Sequence, residues 1–125
     1  MNKYGLLLGL WGAASVALGA FGAHALEEFL NEAGTKDTWE TATFYQLTHA
    51  VAALSWMLSG RKNGPMLCWL WGSVIFSSSL YGLALEGPRW LGPITPIGGL
   101  IMLIGWVWAS IALAIDQNRS SEEQN

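Results

Sequence analysis

Polar and apolar positions along this chain come in long blocks. Asp, Glu, Lys and Arg are absent from residues 4–26, 41–60, 63–85 and 90–115, runs of 23, 20, 23 and 26 residues. An α-helix needs about 20 mostly apolar residues to cross ~30 Å of hydrocarbon, and each run is long enough. A soluble domain has room for one such helix at its centre. Four of them in 125 residues leave too little chain to cover them. The period-2 alternation of a barrel strand is missing throughout. The pattern therefore predicts an all-α fold, an integral membrane four-helix bundle in a single domain, with spans over about 4–26, 39–60, 65–86 and 95–115.

The breaks between blocks carry turn and cap chemistry. The first helix is expected to run on through Glu27 and Glu28 and to stop at Gly34, a residue suited to a left-handed cap. Asp37 or Thr38 is the expected cap of the second helix. Pro65 suits the first turn of the third and Pro96 that of the fourth. Residues 116–125 form a polar tail expected to be disordered. A secretory signal ending at Ala23-His24-Ala25 is the rival reading of the N-terminus. The apolar run is longer than a signal core of 7–15 residues and is laced with glycine, which favours an uncleaved packing helix.

Composition agrees. Hydrophobic residues make up 52% and charged residues 12%, about half the charge of a soluble domain. Eight Trp and fifteen Gly suit membrane interfaces and close helix contacts. A net charge of −3 offers no basic surface for nucleic acid. Four spans place Lys3, Arg61, Lys62 and Arg119 on one side and Lys36 and Arg89 on the other. The excess of basic residues predicts both termini in the cytoplasm, and the expected location is the inner (plasma) membrane.

Helix association in lipid relies on close backbone approach. Gly5, Gly9, Gly12, Ser15, Gly19 and Gly22 predict a small-residue face on the first helix. Ser73, Ser77 and Tyr81 predict a polar seam on the third, and Gly98, Gly99, Gly105 and Ala109 a close contact on the fourth. These faces are expected to serve packing within the chain, with a homodimer or a membrane-protein partner as the other use. Trp39, Trp56, Trp69 and Trp90 fall near span ends, as an aromatic belt would. Trp11 and Trp106 fall mid-span, where an indole N–H calls for an acceptor such as a Ser or a backbone carbonyl.

Four strings add a family resemblance: GAFGAHAL over residues 19–26, ATFYQLTHA over 42–50, FSSSLY over 76–81 and TPIGG over 95–99. Together they resemble the family of small membrane proteins termed domain of unknown function 423, itself similar to mitochondrial transmembrane protein 256. Ser78 stands where the family pattern has Gly. The resemblance implies a multi-pass membrane protein and supplies no catalytic residue.

The residues with candidate chemistry are few. His49 lies nine positions into its run, about 13 Å deep at 1.5 Å per residue, and an ionisable group at that depth is a functional candidate. Thr41, Tyr45 and His49 share one helical stripe, flanked by Gln46 and Thr48, with Ser77 and Tyr81 as expected partners across the bundle. The competing structural role is a neutral imidazole holding register between helices. His24 belongs near the interface beside Glu27 and Glu28. For both histidines to bind one haem, their side chains must converge, which their unequal depths oppose. Cys68 stands alone, and no hydrolase, phosphate-loop or metalloprotease motif occurs. The sequence thus predicts a non-enzyme without metal or cofactor, set in the lipid bilayer. Three functions compete: an accessory, scaffold or binding protein, the favoured one; a small transporter with a polar path at Tyr45, His49, Ser77 and Tyr81; and a haem- or quinone-binding redox protein.

Overall fold

The computed structural model describes residues 3–123, and among them helices account for all the regular secondary structure. The elements are α1 (Lys3–Ala23), α2 (Glu27–Ala33), α3 (Lys36–Leu58), α4 (Gly64–Ala84), a 3-10 turn (Arg89–Leu91) and α5 (Thr95–Glu123). Helices α1, α4 and α5 are long and apolar enough to cross a membrane. Helix α3 has the length, 23 residues, but carries Thr41, Thr43, Gln46, Thr48 and His49. The fold is an all-α membrane bundle.

Several boundaries depart from expectation. A turn at residues 24–26 separates α1 from α2, so the first helix does not run on. Gly34 does cap α2 in the left-handed region, at φ 68° and ψ 25°. Helix α3 begins at Lys36 and its cap position is Thr35, not Asp37 or Thr38. The Thr35 hydroxyl instead donates to the Ala84 carbonyl at 2.7 Å, tying α3 to the end of α4. The tail expected to be disordered is helical through Glu123, while Gln124 and Asn125 lie outside the described residues. No Gly or Pro follows Gly105, so a helix nucleated in the membrane propagates outward at little cost. At 29 residues α5 is about 43 Å long, well beyond the hydrocarbon thickness.

Helices α3 and α4 pack along each other, α1 lies against α3, and α5 lies against α4. The α4–α5 seam depends on glycine. A Cβ on Gly98 would lie 2.5 Å from the Phe76 amide nitrogen and 2.7 Å from the Gly72 carbonyl oxygen. One on Gly72 would lie 2.9 Å from the Met102 nitrogen. These are backbone atoms, which have no rotamer with which to retreat. The glycine face expected on α1 is divided. Leu8, Ser15 and Gly22 are buried and Gly12 faces Ala50, whereas Gly9 and Gly19 have open space around them.

The tryptophans expected to form a belt are mostly core. Trp39, Trp56 and Trp69 are buried, and only Trp90 of those four is exposed. Trp39 fits against Gly22, where a Cβ would collide with its indole, and donates to the Leu18 carbonyl at 2.8 Å. Together with Leu30 and Ala84 it forms the core beneath α2. Trp56 and Trp69 join Leu8, Met66 and Leu70 in a second core at the opposite end. Indoles bury large apolar area, and a small facing residue gives them the room to do so.

Candidate functional site

Two polar residues of α3, Gln46 and His49, face its neighbours. Gln46 is fully buried; its amide nitrogen donates to the Trp11 carbonyl at 2.9 Å, and its oxygen accepts from the Tyr81 hydroxyl at 2.6 Å. One side chain thus bonds to both α1 and α4. Trp11 in turn donates from its indole to the Ser73 hydroxyl at 3.0 Å. Ser77 donates to the Ala42 carbonyl at 2.8 Å. In hydrocarbon these groups have no water to fall back on, so pairing across helices is how they enter the bundle.

His49 is 5% exposed and both ring nitrogens are engaged. Nε2 lies 3.1 Å from the Trp106 indole nitrogen, which only donates. Nε2 must therefore accept, and the ring proton sits on Nδ1, donating to the Tyr45 carbonyl at 2.8 Å. This is the neutral imidazole, bridging α3 to α5. Replacing Trp106 with Phe removes that bridge and leaves Nε2 without a donor. The expected loss is about 1 kcal/mol, the scale of an interhelical hydrogen bond in a membrane protein, read as a lower thermal midpoint in detergent.

The expected residues therefore separate. Tyr45 and His49 come together, their rings stacked at 5.8 Å and 10°. Ser77 and Tyr81 are used at the α3–α4 contact, with Ala42 and Gln46, and do not meet His49. Thr41 is exposed and outside the cluster, and His24 is exposed in the turn after α1. The two histidines do not converge, and no group of three or more metal-ligating side chains occurs among the described residues. Sequence reasoning gave Gln46 only a flanking place. Its signal was available, because an uncharged amide amid apolar neighbours calls for partners as an imidazole does. Trp106, sought with a Ser or carbonyl, found the histidine.

Helices α3 and α5 approach at the His49–Trp106 bridge without packing along each other, and α4 floors the gap between them. The result is an open-sided groove of about 620 Å³, lined by Tyr45, His49, Phe76, Gly99, Leu103 and Trp106 among others. Phe76 lies 4.7 Å from Tyr45 and the Trp106 ring 6.1 Å from His49. Leu100, Leu103 and Trp106 are exposed along its rim. Tyr45 is 37% exposed, and its hydroxyl has no hydrogen-bond partner among the described residues. The groove has the size of a small-molecule site and its character: apolar walls with few polar groups.

Residues 18–99 match the family described as Protein of unknown function (DUF423). The chain belongs to the DUF423 family. It is 43% identical over 111 residues to a UPF0382 membrane protein of Haemophilus influenzae, covering 85% of this chain and 89% of that one. A UPF0382 membrane protein of Schizosaccharomyces pombe is 41% identical over 107 residues, covering 78% and 89%. One from Staphylococcus epidermidis is 44% identical over 116 residues, covering 88% and 94%. No solved structure gives a significant match. The DUF423 match spans α3 and α4 in full, with Tyr45, His49, Phe76 and Gly99 of the groove inside it. Trp106 lies beyond the matched segment.

Proposed function

We propose that this DUF423 protein is a non-catalytic binding protein of the inner membrane that takes a flat, lipophilic ring compound with a carbonyl acceptor, of the quinone class, into the α3–α5 groove. The observation that supports this reading is the aromatic lining of that groove. Tyr45, His49, Phe76 and Trp106 offer ring faces to a planar guest, and the Tyr45 hydroxyl is a donor with no other duty. The open side faces the bilayer, so a hydrophobic guest enters laterally without meeting water. The transporter alternative loses its path, because Ser77 and Tyr81 are committed elsewhere. A haem iron at His49 Nε2 would have to displace the Trp106 indole N–H.

In this reading α3 is the fourth crossing. Gln46 and His49 are paired inside the bundle, and the Thr43 and Thr48 hydroxyls donate back to carbonyls of α3 itself, which lowers the cost of inserting this helix. The basic-residue excess then sets both termini in the cytoplasm.

The test is binding of a short-tailed benzoquinone to detergent-solubilised protein, followed by tryptophan quenching. Saturable quenching is expected. Gly99→Leu fills the groove: a Cβ there meets the Phe76 ring at an ordinary 3.7 Å, so folding tolerates it while binding is lost. Tyr45→Phe should weaken affinity about tenfold, the worth of one hydrogen bond. Non-saturable quenching, or equal binding by Gly99→Leu, rejects the proposal.

A second reading, an accessory subunit docking another helix, draws on Gly9, Ala13 and Ala17. They form an exposed small strip at i, i+4 and i+8 on the outer side of α1, a geometry that admits a close helix partner.

A further inference from the structure

The α3–α4 turn and the outer part of α5 bring three of the chain's six Lys and Arg residues to one place. Arg61, Lys62 and Arg119 line a cleft of about 420 Å³ whose other walls include Trp108, Ile115 and Asp116. Arg61 is held, with its Nε 2.9 Å from Asp116 Oδ2 and its guanidinium 5.6 Å from the Trp56 ring. Lys62 and Arg119 have no ion-pair partner among the described residues. Three cations and one carboxylate give the cleft a local charge of about +2 in a chain whose net charge is −3.

We propose that this cleft binds the phosphodiester headgroup of an anionic phospholipid. The cleft sits where the bundle leaves the hydrocarbon, at the end of α3 and the start of α4, so it lies at headgroup depth. Its cations are at the rim. Directly inside them Trp108 and Ile115 are 50% and 48% exposed, an apolar wall along which an acyl chain continues into the bilayer. Trp108 is braced against the α4 start at Gly64, where a Cβ would collide with the indole. A phosphate between Lys62 and Arg119 meets two free cations, while Asp116 occupies Arg61 beside them. Basic pockets between membrane helices suit such headgroups, at roughly one kilocalorie per cation, or ~fivefold in affinity. The free phosphate ion shares this chemistry but has no use for the apolar wall. This site is separate from the α3–α5 groove and stands whether or not that groove takes a ring compound.

The experiment is native mass spectrometry of the full chain released from a neutral detergent, with phosphatidylglycerol and phosphatidylcholine offered at equal concentration. One phosphatidylglycerol is expected to be retained in preference to phosphatidylcholine. The double variant Lys62→Gln/Arg119→Gln should weaken that retention about 25-fold while circular dichroism stays helical. Asp116→Asn releases Arg61 and should strengthen retention about fivefold, so the proposal stays open to test even if the double variant fails to fold. Equal retention of the two lipids, an unchanged preference in the double variant, or weakened retention in Asp116→Asn overturns it. So does displacement of phosphatidylglycerol by equimolar inorganic phosphate, which would make the cleft a free-anion site.

Discussion

Replacing Gly98 with Ala will push α5 away from α4 and cost about 3 kcal/mol, near the top of the usual range for overpacking a tight contact. The added methyl meets the Phe76 amide nitrogen at 2.5 Å, the Gly72 carbonyl at 2.7 Å and the Phe76 Cα at 2.9 Å. None of these is a side chain that swings aside, so relief requires moving a helix. Alanine is worth roughly 1 kcal/mol more than glycine within a helix, and the clash outweighs that gain. Gly9→Ala is the matched control. With nothing within 4 Å of the new methyl, it keeps the propensity gain and stabilises by about 0.5–1 kcal/mol. Equilibrium unfolding in mixed micelles of increasing dodecyl sulfate fraction measures both. Equal midpoints for Gly98→Ala and wild type would show that the seam is looser than the glycines imply.

Gln46→Leu is expected to cost about 2 kcal/mol. The leucine fills most of the space but removes an acceptor from Tyr81 and a donor from the Trp11 carbonyl. The two losses are unequal. Trp11 lies inside α1, where its carbonyl keeps a helical partner, whereas the Tyr81 hydroxyl is left in an apolar surrounding. An orphaned buried hydroxyl costs ~1–3 kcal/mol, and bonds between membrane helices average about 0.6 with a maximum near 1.7. Tyr81→Phe alone should cost about 1 kcal/mol. In the double variant nothing is orphaned, so its cost should stay near 2 kcal/mol, below the summed single effects. A coupling energy of zero in that cycle would mean that Gln46 and Tyr81 act independently, contrary to the 2.6 Å contact.

Legibility in the sequence followed the nature of each signal. The uncharged runs showed α1, α4 and α5, because hydrocarbon excludes charge over a whole helix length. Pro65 and Gly34 were legible because their backbone constraints are local. The aromatic belt was not: Trp39, Trp56 and Trp69 stand near helix ends, as belt residues do, but each turns inward toward a neighbouring helix. In the candidate site, the i, i+4 spacing of Tyr45 and His49 put them on one stripe, and their rings stack. The same spacing said nothing of Ser77 and Tyr81, whose partners depend on which face of α4 meets α3. The polar tail was misread because helix propagation out of the membrane needs no apolar residues, only the lack of a breaker.

Membership of the bilayer and the all-helical fold thus follow from composition and block length, since these need no knowledge of which helix touches which. The groove, the neutral imidazole bridge and the basic cleft arise from the azimuth of each helix about its own axis. That azimuth is set where Gly72, Gly98 and Gly22 let backbones and indoles approach. A linear chain records that those glycines exist, and it takes the packed bundle to show what lies against them.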